Sequence, residues 1–202
     1  MGCAFVAGRN RVPNPAAGKT AFRTFGIIPY IVRDIRLIYR IGMSADRRRL
    51  AEQLFQKAYM LQMEGEFERA VEVFQESIDI CPTAEAYTFL GWTYRFQGRL
   101  NDAIAECRKA IAVDPSFGNP YNDIGAYLIE QGKHEEAIPW LVKATESERY
   151  ESYHYPWYNL GRAHVALEAY NRARECFTKA LIIQPDYRLA EEALEKLRML
   201  LQ

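Results

Sequence analysis

Residues 87–115 read YTFLGWTYRFQGRLNDAIAECRKAIAVDP. Tyr87, Leu90 and Tyr94 recur at three- and four-residue spacing, which puts them on one face of a helix. Gly98 interrupts the pattern. Leu100, Ala103, Ile104, Cys107 and Ile111 then resume it as far as Pro115, which cannot continue a helix. The stretch predicts two helices joined by a tight turn. Gly91, Ala103 and Ala110 let the pair approach closely, since a bulky side chain there would overpack at about 1–3 kcal/mol. One such hairpin cannot bury its apolar face alone and needs copies to stack on.

The copies are present. Ala70, Ala103, Ala137 and Ala173 are separated by 33, 34 and 36 residues, a period that marks a repeat array. Five residues before them stand Gly65, Gly98, Gly132 and Glu168; twelve before them stand Ala58, Gly91, Gly125 and Gly161. Pro82, Pro115 and Pro185 close three of the four units. After Pro185, Leu189, Ala193, Leu197 and Leu200 form one apolar face, with Asp186 placed to cap the helix. This segment reads as the extra helix that seals the last unit.

The pattern resembles the tetratricopeptide repeat family. Trp157, Leu160, Gly161, Tyr170, Ala173, Phe177, Ala180 and Pro185 carry the signature in the last unit, and Tyr87, Leu90, Gly91, Tyr94, Gly98, Ala103, Ala110 and Pro115 carry it in the second. The first unit has Lys57 where Leu is usual, and the third lacks the closing Pro. The resemblance implies an all-α, right-handed α–α superhelix of four helical hairpins plus a C-terminal capping helix. The repeats would fall at about 51–83, 84–117, 118–153 and 154–187, with the cap at 187–201, inside a domain spanning 43–202.

Equal totals of 26 basic and 26 acidic residues conceal an uneven distribution. Residues 1–42 hold seven basic side chains against one acid, Asp34, which leaves 19 basic and 25 acidic residues for 43–202. The arm at 1–42 is expected to be partly disordered, with an amphipathic helix at 29–41 that presents Arg33, Arg36 and Arg40 on one face and Ile31, Ile35, Ile38 and Tyr39 on the other. It packs on the first repeat, is a leader before a start at Met43, targets an organelle, or lies on an anionic membrane surface. The acidic body argues against a nucleic-acid partner, which needs a basic stripe. No apolar run is long enough to span a membrane as a helix. Cys107 and Cys176 sit at small apolar positions, so reduced buried thiols and a cytoplasmic setting are expected.

Nothing in the chain predicts catalysis, a metal or another cofactor. His134 occupies a turn-side packing slot, while His154 and His164 are ten residues apart and point to different faces. The resemblance implies instead a binding groove made by the first helix of each unit. Its residues would be Phe55 and Tyr59 in the first unit, and Phe89, Trp92, Arg95 and Phe96 in the second. Asn119, Asn122 and Asp123 follow in the third, and Tyr155, Tyr158, Asn159 and Arg162 in the last. The Lys and Asn slots by which some family members hold a chaperone's C-terminal carboxylate are filled here by Phe55, Tyr59, Phe89, Asn119 and Asp123, so that clamp is not expected. The function expected is a non-catalytic scaffold that holds a peptide or helix of another protein. The alternative is a membrane-proximal assembly or adaptor factor anchored by the basic arm.

Overall fold

The computed structural model describes the backbone of residues 28–202 and the side chains of residues 43–202. Among these residues there are nine helices and no strand: α1 (Ile28–Met63), α2 (Phe67–Ile80), α3 (Ala84–Phe96), α4 (Leu100–Val113), α5 (Asn119–Glu130), α6 (His134–Glu146), α7 (His154–Ala166), α8 (Tyr170–Ile183) and α9 (Arg188–Leu200). The architecture is an all-α superhelical stack in which α1–α2, α3–α4, α5–α6 and α7–α8 pack as hairpins and α9 lies on α8.

Each hairpin turn is built the same way. Gly65, Gly98 and Gly132 adopt φ of 80°, 75° and 75°, the left-handed conformation open to a residue without a Cβ. The next amide closes the helix end: Arg99 N–H donates to the Tyr94 carbonyl at 2.9 Å, and Lys133 N–H to the Leu128 carbonyl at 2.9 Å. Glu168 fills the equivalent position with φ 56°, which costs an ordinary side chain about 1 kcal/mol. Replacing Glu168 by Gly is therefore expected to leave stability unchanged or raise it by about 0.5 kcal/mol, because relief of strain is partly offset by a more flexible unfolded chain. Gly98→Ala should instead lose about 1 kcal/mol. Urea unfolding followed by circular dichroism checks both, and a Glu168→Gly loss comparable to that of Gly98→Ala would contradict the strain argument.

The repeated alanines are the contact points inside the hairpins. Ala70, Ala103, Ala137 and Ala173 have no exposed surface. A Cβ added at Gly125 would lie 2.4 Å from Leu141, and one at Gly161 would lie 2.3 Å from Phe177 Cε1. These glycines are needed because a large partner side chain occupies the space.

Three features refine the sequence expectation. The stretch 29–41 falls within α1, which runs unbroken from Ile28 through Met43 to Met63, with no proline after Pro29 inside it to remove a helical N–H. At about 54 Å, against about 21 Å for the 14-residue α2, it extends well beyond its hairpin partner. The faces assigned to residues 31–40 and all expectations for 1–27 lie outside the described residues. Second, the N-cap of α9 is Tyr187, with no side-chain cap bond, while Asp186 instead accepts a hydrogen bond from Gln184. The buried stripe of α9 is also rotated: Ala190 and Leu197 are buried, whereas Leu189 and Leu200 are 49% and 61% exposed. Third, the missing proline of the third unit is replaced by a pairing of two connections. Arg149 N–H donates to the Ser116 carbonyl and Gly118 N–H to the Arg149 carbonyl. The Arg149 guanidinium stacks 4.5 Å from the Phe117 ring centroid and pairs with Asp114 and Glu85.

Candidate partner-binding groove

The first helices α1, α3, α5 and α7 bring the expected residues into two aromatic groups joined by a polar chain. In the first group, Phe89 is the hub. Phe55, Tyr59 and Trp92 lie 5.2, 5.6 and 4.8 Å from it, centroid to centroid, within the range where ring pairs attract beyond their burial. All four rings are half-buried. In the second group, Tyr155, Tyr158 and His154 surround Tyr187 at 5.7, 5.3 and 4.9 Å. Tyr187 belongs to the connection before α9, where no helical face announces it in the sequence. Burial holds the His154 imidazole below its usual range, against the opposing pull of Asp186, and pushes the Tyr187 phenol up to about 12.

Between the two groups, Trp92 Nε1–H donates to Asp123 Oδ2 at 2.6 Å, and Asn122 Nδ2–H donates to Asp123 Oδ1 at 3.3 Å. Asn159 Nδ2–H donates to Asn122 Oδ1 and Arg162 Nη1–H to Asn159 Oδ1, both at 3.0 Å. Asn122, Asp123 and Asn159 are buried. They therefore tie α3, α5 and α7 together more than they offer free polar atoms. Desolvation pushes the Asp123 carboxyl up to about 7, opposed by the bonds from Trp92 and Asn122 and by the nearby Arg95. Arg95 itself spans α3 and α5, with Nε and Nη2 donating to Glu130 Oε1 at 3.1 and 2.9 Å.

Two expected groove residues stand apart. Phe96 stacks on Phe67 at the turn end of α2, 5.3 Å between centroids, with half of its surface exposed. Asn119 lines a cavity of about 490 Å³ with Phe117, Arg149 and Tyr150, at the paired connections. His164 is buried with Nδ1 unpartnered among the described residues, and burial lowers its basicity. The described residues contain no group of three or more His, Cys, Asp or Glu able to hold a metal ion. Cys107 and Cys176 are buried free thiols, which by themselves do not fix the compartment. No described helix is long and apolar enough to cross a membrane.

The tetratricopeptide repeat profile matches residues 84–117, 119–150 and 154–187. The chain belongs to the tetratricopeptide repeat family. Its repeats mark it as a protein–protein interaction scaffold, and tetratricopeptide folds are typically non-catalytic. Type IV pilus assembly protein PilF of Pseudomonas aeruginosa is 29% identical over 118 residues, 58% of this chain and 47% of PilF. A solved PilF structure overlays with a TM-score of 0.71 at 24% identity, covering 75% of this chain and 69% of that one. The human protein O-mannosyl-transferase TMTC3 is 33% identical over 95 residues, 46% of this chain but only 10% of its own length. The first tetratricopeptide domain of Spaghetti (RPAP3), solved bound to an HSP90 peptide, overlays with a TM-score of 0.55 at 23% identity, covering 59% of this chain and 93% of that one. The tetratricopeptide chain described here spans about half or less of the length of these curated relatives.

Proposed function

We propose that the concave face of this repeat protein captures a segment of another protein, without catalysis, through the rings of α1, α3 and α7. The observation that carries this is the half-buried ladder Phe55–Phe89–Trp92 with Tyr59 at its edge, braced through the Trp92 indole by the buried Asp123, Asn122 and Asn159. Rigid rings on a braced support lose little entropy on binding, the property that makes aromatic residues dominate interface energetics. Asp123 occupies a slot that would oppose a ligand carboxylate near the centre of the groove, which favours an apolar or aromatic anchor there.

Trp92 is a poor probe of this reading because its indole N–H holds a buried carboxylate. Tyr59 and Tyr155 are better, since neither hydroxyl is bonded within the described residues and both rings retain exposed surface. The Tyr59→Ala, Tyr155→Ala double variant of the full chain is expected to keep its helicity and lose the proteins that the wild type captures from an extract, as identified by mass spectrometry. Gln75→Ala on α2 should retain them. Unchanged capture by the double variant would remove the groove from the mechanism.

A further inference from the structure

At the C-terminal end of the stack, α7, α8 and α9 enclose an open trough of about 460 Å³. Phe177 and Leu197 lie within it, and Tyr158, Val165, Leu189 and Leu200 form its sides. Leu189 and Leu200 keep much of their surface exposed, so the trough displays apolar area that the fold itself leaves uncovered.

Its charged groups are unevenly matched. Glu192 accepts a hydrogen bond from Arg188 Nε at 2.9 Å and is neutralised by it. Lys196 on α9 makes no ion pair among the described residues. Arg162 on α7 is half-buried, yet its one protein hydrogen bond goes to a neutral acceptor, Asn159 Oδ1, and its guanidinium stands 6.0 Å from the Tyr158 ring centroid. Unlike Arg95, whose guanidinium meets Glu130 across α3 and α5, Arg162 meets no carboxylate among the described residues. Arg162 is a partly desolvated cation with most of its five donors uncommitted, anchored through Asn159, and Lys196 lines the same trough.

We infer that this trough is a binding site for an acidic, aliphatic segment of a partner protein: a Leu, Ile or Phe side chain enters between Tyr158, Val165, Leu189 and Leu200, above the buried Phe177 and Leu197, while flanking Asp or Glu carboxylates pair with Arg162 and Lys196. Charge complementarity selects this occupant. An uncharged apolar segment would leave Arg162 desolvated and unpaired, and a basic one would be repelled by both cations. A guanidinium held in place by Asn159 can receive a carboxylate in two-pronged geometry with little further ordering. The inference shares Tyr158 and Arg162 with the proposed groove, but the walls from α8 and α9 are its own.

Selection of a displayed random twelve-residue peptide library on the full chain tests it. The enriched sequences, synthesised with amidated C-termini, are then measured by fluorescence anisotropy. Expected are peptides with Asp or Glu within two positions of Leu, Ile or Phe, bound more weakly as salt rises. Arg162→Gln, which can keep the Asn159 bond, should weaken them about tenfold or more, and Lys196→Gln about threefold; Tyr59→Ala should not change them. Selection of nothing, or of peptides without acids, would overturn the inference, as would equal affinity for Arg162→Gln. Displacement of the peptides by laurate at micromolar concentration would reassign the trough to a fatty acid. Concentration-dependent self-association that excludes them would reassign it to a second copy of the chain. If the Tyr59→Ala, Tyr155→Ala variant still captures proteins while the peptides depend on Arg162, the groove reading falls and this one stands. The opposite pattern reverses that outcome.

Discussion

Asp123→Asn is expected to change how stability depends on pH, by on the order of 4 kcal/mol between pH 4 and pH 8. Burial holds the native carboxyl near pH 7, while the same group in the unfolded chain titrates near pH 3.9. A raised carboxyl means that the native state binds the proton more tightly. Between these two values the folded protein therefore carries a proton that the unfolded chain has released, so stability falls as pH rises, by at most about 1.4 kcal/mol per pH unit. The loss is complete above pH 7, where the fold must hold a buried anion on two hydrogen bonds and the neighbouring Arg95. The other titratable groups that act on this centre, Cys107, Tyr127 and Tyr150, are all pushed upward by burial, and Arg95 is raised by Glu130, so none ionises within this window. In the Asn variant the site carries no titrating group. One of the two donors, Trp92 or Asn122, then faces an amide N–H, and about 1 kcal/mol is lost at pH 5. Wild type should accordingly be the more stable protein at pH 5 and lose that advantage by pH 8. Urea unfolding at unit pH steps, followed by circular dichroism, gives the comparison, and parallel profiles would show that Asp123 ionises freely in the folded protein.

The difference between what could and could not be read from the chain is visible in this same centre. The repeated small residues announced the hairpins because a helix face of fixed period exposes a close contact as a residue type. The fully buried Ala103 and the left-handed Gly98 are both local signatures. The family resemblance assigned Trp92, Asp123, Asn122 and Asn159 to the groove-forming first helices. Their burial and mutual hydrogen bonds could not be read, because those depend on how closely α3, α5 and α7 stack. The pairing of Arg149 with Ser116, Phe117 and Gly118 was hidden for a related reason: two irregular connections more than 30 residues apart carry no periodicity. The rotated face of α9 shows the limit of a helical wheel. Leu189, Ala193, Leu197 and Leu200 do lie along one side, but α8 covers only the part of it nearest Leu197 and Ala190, and the remainder opens toward α7.

Phe177→Ala should be among the most damaging single substitutions in the chain, at about 3–5 kcal/mol. The ring is 1% exposed and forms a core with Ala173 and Leu197, against which Tyr158, Val165, Tyr170 and Leu194 pack. It joins three helices, α7, α8 and α9, and its edge fills the space vacated by the absent side chain of Gly161. Removing it leaves a cavity between α7, α8 and α9, the last elements among the described residues. Because stability in stacked repeats passes between neighbours, the damage should be local. Hydrogen exchange is expected to accelerate across α7, α8 and α9 while α2 and α3 retain their protection. The complementary substitution tests the same contact from the other side. Gly161→Ala inserts a Cβ into the ring and should cost about 1–3 kcal/mol, whereas Phe177→Leu in the same chain removes the clashing edge. The double variant should therefore be more stable than the two single losses added together, with a coupling of about 1 kcal/mol or more. Strict additivity, or exchange that accelerates evenly from α2 to α9, would mean that the Gly161–Phe177 contact does not hold the end of the stack.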